Sequence, residues 1–254
     1  MNDPDPEPRD APAAGSGGPP EADLPAWFGK VATLGDFAHR RLPAPVRATC
    51  DAWLSRAMRQ AEARLGSHWL PLYLTAPLLR FAWAPGVVDP RWWFGVLMPS
   101  CDDVGRYFPL LVASSRTTPP VEGAALAQLE RWYGHLARAA TSTLQGASID
   151  TFEAALRAAP AWPQPAAESA SASTPLPIDG VADLATLLAR GGPLPRGAPL
   201  ERWLAALAAR GLHDALQGRT VWWRAADEAH APHLEIVEGL PEDERFVDLL
   251  DPDH

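Results

Sequence analysis

Only one lysine, Lys30, stands in this 254-residue chain, against twenty-one arginines. Cysteine is nearly as scarce. Cys50 and Cys101 match neither a C-x-x-C motif nor a Cys/His ligand spacing, so neither a disulfide framework nor a zinc site is supported. No apolar run approaches the roughly 20 residues that span a bilayer, and no basic stretch followed by an apolar core marks a secretory signal. The chain therefore reads as cytoplasmic, without membrane insertion. Concentrated positive charge is also missing. The formal net charge is -9, which argues against a nucleic-acid partner because neutralising phosphates needs clustered cations; His39-Arg40-Arg41 is the local exception. There is no G-x-x-x-x-G-K-[ST] and no G-x-G-x-x-G, so the usual phosphate and dinucleotide loops are absent. No cofactor is expected.

What is present suffices for a folded core, since 47% of the residues are hydrophobic. Residues 1–25 are the exception, a Pro- and acid-rich leader that buries too little apolar surface to offset its ordering entropy and reads as disordered. Trp27 to Ala32 is a first strand, broken at Gly35-Asp36 by turn chemistry. Val46, Cys50, Trp53, Leu54, Ala57, Met58, Ala61 and Leu65 then recur at three- and four-residue steps, the apolar stripe of an amphipathic helix that Gly66 stops. Cys50 reads as a small hydrophobe on that helix. Leu78 to Ala84 and Trp92 to Met98 read as buried strands in a hairpin-like pair, and Tyr107 to Ser114 as the next strand.

A second long helix carries Leu126, Leu129, Tyr133, Leu136, Ala140 and Leu144 with Trp132 at its flank, and a shorter one covers Thr151 to Ala159. Residues 160–178 form an Ala/Ser/Pro-rich insertion read as flexible. Residues 179–254 hold helices near Val181 to Ala189 and Leu200 to Leu216, strands at Thr220 to Arg224 and His233 to Val237, and a last helix near Glu242 to Leu250. These C-terminal strands either join the first sheet or build a second lobe. Strands interspersed with long helices indicate an α/β sandwich with a mixed central sheet and flanking helices. In the pairs Trp92-Trp93 and Trp222-Trp223, strand alternation puts one indole inward and one outward.

Two short stretches concentrate glycine, aromatic, acidic and arginine residues, and chemistry is sought there first. In the first, Gly35-Asp36-Phe37 reads either as a capped turn anchored by Phe37 or as part of an exposed patch of Lys30, Asp36 and Arg40 that docks a partner, held by Trp27, Phe28 and Phe37. In the second, Cys101-Asp102-Asp103-Val104-Gly105-Arg106, a thiol nucleophile would need a histidine base from elsewhere. Two adjacent carboxylates are too few oxygens for a hard cation. The plainer reading is a turn in which Arg106 pairs with an Asp beside Tyr107 and Phe108. A hydrolase using Cys101 or an acidic residue remains the alternative class.

Trp27-Phe-Gly-Lys30, Gly35-Asp36-Phe37, Arg40 or Arg41 and Leu42-Pro43, followed by Ala84-Pro-Gly86, Gly95-Val-Leu-Met-Pro-Ser100, Asp102 or Asp103, and Val104-Gly-Arg-Tyr-Phe-Pro109, resemble the signature of the TagF/ImpM family of type VI secretion accessory proteins. Val221-Trp222-Trp223, Gly239-Leu240-Pro241 and Phe246 to Leu250 resemble its C-terminal end more loosely. The chain departs from the pattern at Ala32-Thr33-Leu34, where the family commonly carries a proline-containing turn. The resemblance implies a three-layer α/β domain over residues 26–159 and a non-enzymatic, cytoplasmic, post-translational regulator that restrains assembly by engaging a forkhead-associated (FHA) scaffold. Lys30, Asp36, Phe37, Arg40, Asp103, Arg106 and Tyr107 are the expected partner-binding residues. A structural component of the secretion apparatus is a further alternative.

Overall fold

The computed structural model of the chain describes residues 24–163, 200–225 and 232–251. Residues 1–23, the helix expected at Val181 to Ala189 and residues 164–178 of the insertion lie outside them. The described elements are strands β1 (Ala26–Gly29) and β2 (Ala38–Arg40), helices α1 (Ala44–Leu65) and α2 (Trp69–Thr75), and strands β3 (Leu79–Trp83), β4 (Trp92–Met98) and β5 (Leu110–Arg116). Helices α3 (Gly123–Leu144), α4 (Ile149–Arg157) and α5 (Leu200–Leu216) follow, then β6 (Arg219–Arg224), β7 (His233–Glu238) and α6 (Asp243–Leu250).

All seven strands form one sheet in the order β2-β1-β5-β4-β3-β6-β7. The C-terminal strands thus join the first sheet, with β6 pairing along β3 from Arg80↔Trp223 to Trp83↔Thr220. Every pairing is antiparallel, which corrects the expectation of a mixed sheet. A parallel pair of neighbours needs a crossover that returns the chain in the same direction. Here the helical connections join strands that are not neighbours, β2 to β3 and β5 to β6, while β3-β4 and β4-β5 are linked by helix-free loops.

Apolar side chains gather in two clusters. Val46, Cys50, Trp53 and Leu54 of α1, Tyr73 of α2 and Phe246 of α6 pack with Phe81, Trp83, Trp93 and Trp222. Trp132, Tyr133 and Leu136 of α3 and Phe152 and Leu156 of α4 pack with Trp27, Trp92, Phe94 and Val112. Successive residues of β4 alternate between the clusters, so both Trp92 and Trp93 are buried. The half-exposed expectation fails for that pair because each face of the strand has its own cover; Trp222 is buried and Trp223 only partly so.

The α1 stripe is as the spacing predicts, and burial pushes the Cys50 thiol, with Asp51 beside it, up to about 12. On α3 the buried face runs through Ala125, Trp132, Tyr133, Leu136, Ala139, Ala140 and Thr143, leaving Leu126 and Leu144 exposed. Trp53 joins several elements of the first cluster: its indole donates to the Pro241 carbonyl at 2.7 Å and meets the rings of Trp83, Trp222 and Phe246. Trp162, expected in the flexible insertion, instead packs on Phe94 and Trp132. Among the described residues no helix is long and apolar enough to cross a membrane.

Gly95 sits in β4 opposite Phe81. A Cβ there would run into the Val112 carbonyl and come within 2.7 Å of the Phe81 ring. Gly95→Ala is expected to lower unfolding free energy by about 1–3 kcal/mol through overpacking, measured as a lower urea midpoint with an unchanged slope.

Candidate functional site

The two motif stretches are loops at one end of the sheet, one joining β1 to β2 and the other β4 to β5. Their proximity follows from topology. β1 lies beside β5, with Gly29 opposite Leu110, so the loop leaving β1 emerges against the loop entering β5. Gly29 has φ of 135°, and a Cβ on it would strike the Pro109 carbonyl, which explains why only glycine ends this strand.

Asp102 is the meeting point. Its Oδ2 accepts from Lys30 Nζ and from Arg106 Nε at 2.7 Å, while Oδ1 accepts the backbone N–H groups of Val104 at 3.2 Å and Arg106 at 2.8 Å. Lys30 and Asp102 are both buried. Arg106 is more than half exposed, yet it reaches across to donate to the Gly35 carbonyl at 2.6 Å. A backbone bond from Asp103 N to the Leu34 carbonyl adds a second tie between the loops. The Val31-to-Leu34 turn closes through Leu34 N to Val31 O at 2.9 Å, so Ala32-Thr33 makes the turn without proline.

The backbone beneath is held as firmly. Ser100 Oγ donates to the Lys30 carbonyl, and the Tyr73 hydroxyl both donates to the Ser100 carbonyl and accepts from Ser100 N–H, each at 2.9 Å. Burial pushes that hydroxyl well above the usual tyrosine range. Phe37 packs on Phe108 with centroids 4.8 Å apart and lies over the Lys30 ammonium, also at 4.8 Å. Burial alone would raise the Asp102 pKa, but the bonds from Lys30 and Arg106 outweigh it and hold the carboxyl well below the usual range.

Lys30 is therefore not part of an exposed patch, which corrects that expectation: a buried ammonium must be paired, and Asp102 pairs it. Asp36 and Phe37 are exposed beside it, with Asp36 Oδ1 accepting from Phe37 N at 2.7 Å. Arg40 leaves the group and lies 3.7 Å from Glu153. Asp103, Arg106 and Tyr107 are exposed on the second loop, where Tyr107 bridges Cys101 and meets the ring of Tyr73. Phe37, Val104 and Tyr107 make the tip apolar, 46%, 68% and 38% exposed. Among the described residues no group of three or more His, Cys, Asp or Glu side chains could hold a metal ion.

Residues 26–159 match the TagF N-terminal domain, which is type VI secretion system-associated. The chain belongs to the TagF family. It is also similar to the crystal structure of PA0076 from Pseudomonas aeruginosa PAO1, with 32% identity, a TM-score of 0.66, and coverage of 89% of this chain and 94% of that one. No curated protein matches it. Both loops lie inside the matched span, so in this TagF-family chain they belong to a type VI secretion-associated domain.

Sequence reasoning missed two buried carboxylates in this TagF domain. Asp102 could not be told from Asp103 by composition, since only the turn decides which of the two faces inward. Glu153 carried a readable signal, because it shares the apolar stripe of α4 with Ile149, Phe152 and Leu156. It accepts from the Trp27 indole at 2.5 Å and from both terminal nitrogens of Arg41 at 2.8 and 3.0 Å. Burial opposes its ionisation, but Arg41 and Trp27 prevail and lower its pKa.

An unfolded aspartate titrates near pH 3.9. Because the folded Asp102 carboxyl titrates lower, its contribution is fully present above about pH 4 and is lost as pH falls through the depressed folded value. Denaturant midpoints followed downward from about pH 6 are expected to fall with acid, and Asp102→Asn to reduce that slope while lowering the midpoint at neutral pH.

Proposed function

We propose that this type VI secretion-associated protein is a cytoplasmic, post-translational regulator that acts by protein contact rather than catalysis. It restrains assembly by engaging an FHA-domain scaffold of the secretion system through the tip of the two tied loops. One observation carries the reading: two loops distant in sequence are locked by a buried ion pair, and the locked tip presents Phe37, Val104 and Tyr107 beside Asp36, Asp103 and Arg106. Aromatic and arginine side chains on a pre-ordered surface are what binding hot spots favour. Lys30 supports that surface from beneath, and Arg40 lies at its margin on the Glu153 cluster. The three-layer reading of the fold is supported by the two clusters, each uniting its own helices with alternate strand residues.

Cys101 bridges Tyr107 through the backbone inside the same turn. That placement favours a structural place in the loop over a nucleophile. Pull-down of the FHA-domain scaffold with purified Phe37→Ala, Arg106→Ala and Tyr107→Ala is expected to show about tenfold weaker binding for at least two of them, the loss of an average hot-spot contact. Unchanged binding in all three, with circular dichroism matching wild type, would remove the loop tip as the docking site.

A further inference from the structure

Helix α2 turns an unusual face to water. The outward side of a surface helix is ordinarily polar, yet Trp69-Leu-Pro-Leu-Tyr-Leu-Thr75 contains no charged residue. Trp69 and Tyr73 are its buried positions. Leu70, Pro71 and Leu74 are exposed, the two leucines at 38% and 61%. Four residues apart, these leucines share one stripe of the helix.

Tyr73 connects that stripe to the loop tip. Its ring meets Tyr107 with centroids 5.8 Å apart, and its hydroxyl is bonded twice to Ser100 at the base of the second loop, so α2 is fixed against the loop that presents Val104 and Tyr107. Eleven large hydrophobic side chains are exposed among the described residues, and five of them, Phe37, Leu70, Leu74, Val104 and Tyr107, belong to α2 or the two tied loops. Apolar groups gathered in this way mark an interaction surface, whereas scattered ones do not. The charge beside them is acidic. Asp36 and Asp103 are exposed, and among the described residues neither meets a cation. Arg106 is already held by Asp102 and the Gly35 carbonyl.

We propose that Leu70 and Leu74 of α2 form one docking surface with the loop tip, and that this surface takes a protein face whose apolar centre is bordered by lysine or arginine side chains. The proposal rests on the reading that the tip engages the FHA-domain scaffold, and it names the chemistry of the scaffold's contact. Desolvated apolar anchors at the centre supply affinity, while Asp36 and Asp103 at the rim supply encounter rate and salt dependence. The same acids weigh against other occupants. An anionic membrane surface repels carboxylates set beside the apolar stripe, and a second copy would bring like charges to the contact.

The test is calorimetric titration of the purified FHA-domain scaffold into the full chain. Leu70→Ser combined with Leu74→Ser is expected to weaken binding about fivefold or more, about 1 kcal/mol, while Leu126→Ser, an exposed leucine on α3 in the other cluster's helix layer, stays near wild type. Should the double variant fail to fold, Leu74→Ser alone keeps the test valid, because exposed substitutions seldom move stability by more than about 0.5 kcal/mol. Asp36→Asn with Asp103→Asn is expected to bind about threefold weaker at 0.1 M salt and to match wild type near 1 M, where the Debye length has fallen from about 10 Å to about 3 Å. Scaffold binding that Phe37→Ala weakens but the leucine variants leave within about twofold overturns the part given to α2 and leaves the tip reading standing. No binding by wild type overturns both. Asparagine variants equal to wild type at 0.1 M salt overturn the cationic border. Wild-type binding to phosphatidylserine vesicles, or self-association in sedimentation, that Leu74→Ser abolishes gives the face to a membrane or to a second copy and overturns the proposal.

Discussion

A buried ammonium needs a partner, and in this chain that requirement organises an entire end of the sheet. Lys30 has left water, so Asp102 must face inward to meet it, and Asp102 in turn collects Arg106 and two backbone N–H groups. Breaking such a pair leaves an uncompensated charge inside the protein, at a cost well above that of losing an exposed bridge. The loops consequently have little freedom to separate. Arg106 extends the constraint to the other loop through the Gly35 carbonyl, and Tyr73 and Ser100 tie it to α2 and to the end of β4. Phe37, Val104 and Tyr107 are thus exposed without being loosely held, so their order is already in place before any contact is made.

Glu153 plays a related part on the far side of β1. Its carboxylate lies on the apolar face of α4, a position tolerable only because an indole and a forked guanidinium reach it together. The interaction fastens α4 to β1 and to the turn after β2, where Arg41 adopts a positive φ of 61°. Two acids, each buried and each met by cations from a distant segment, therefore fix the strand that separates them. The sheet between has alternate residues in two different clusters, so the central strand can be apolar throughout.

Periodicity made most of the scaffold legible. The stripe from Val46 to Ala61 and the apolar run from Trp92 to Met98 are strong signals because burial repeats at the helix and strand periods. Strand direction was not legible in the same way, since it depends on which strands become neighbours, and the long helices here join strands that do not touch. The short β2 was hidden because His39 and Arg40 are exposed on an edge and leave no apolar signature. Leu126 and Leu144 misled the reading of α3 because the helix turns its alanines and aromatics inward. At the site, turn residues pointed to the loops, but the partner of a buried charge is a property of three dimensions, and neither Lys30 nor Asp102 looks buried in the sequence.

The placement of Lys30 also shapes the protein's covalent chemistry. It is the only side-chain amine in the sequence, and it lies enclosed against Asp102 beneath Phe37. Acylating reagents, bifunctional amine cross-linkers and lysine-modifying enzymes therefore find no accessible ε-amino group on the folded domain. Any that reached Lys30 would have to open the two loops first, making acylation of that nitrogen a chemical record of their separation.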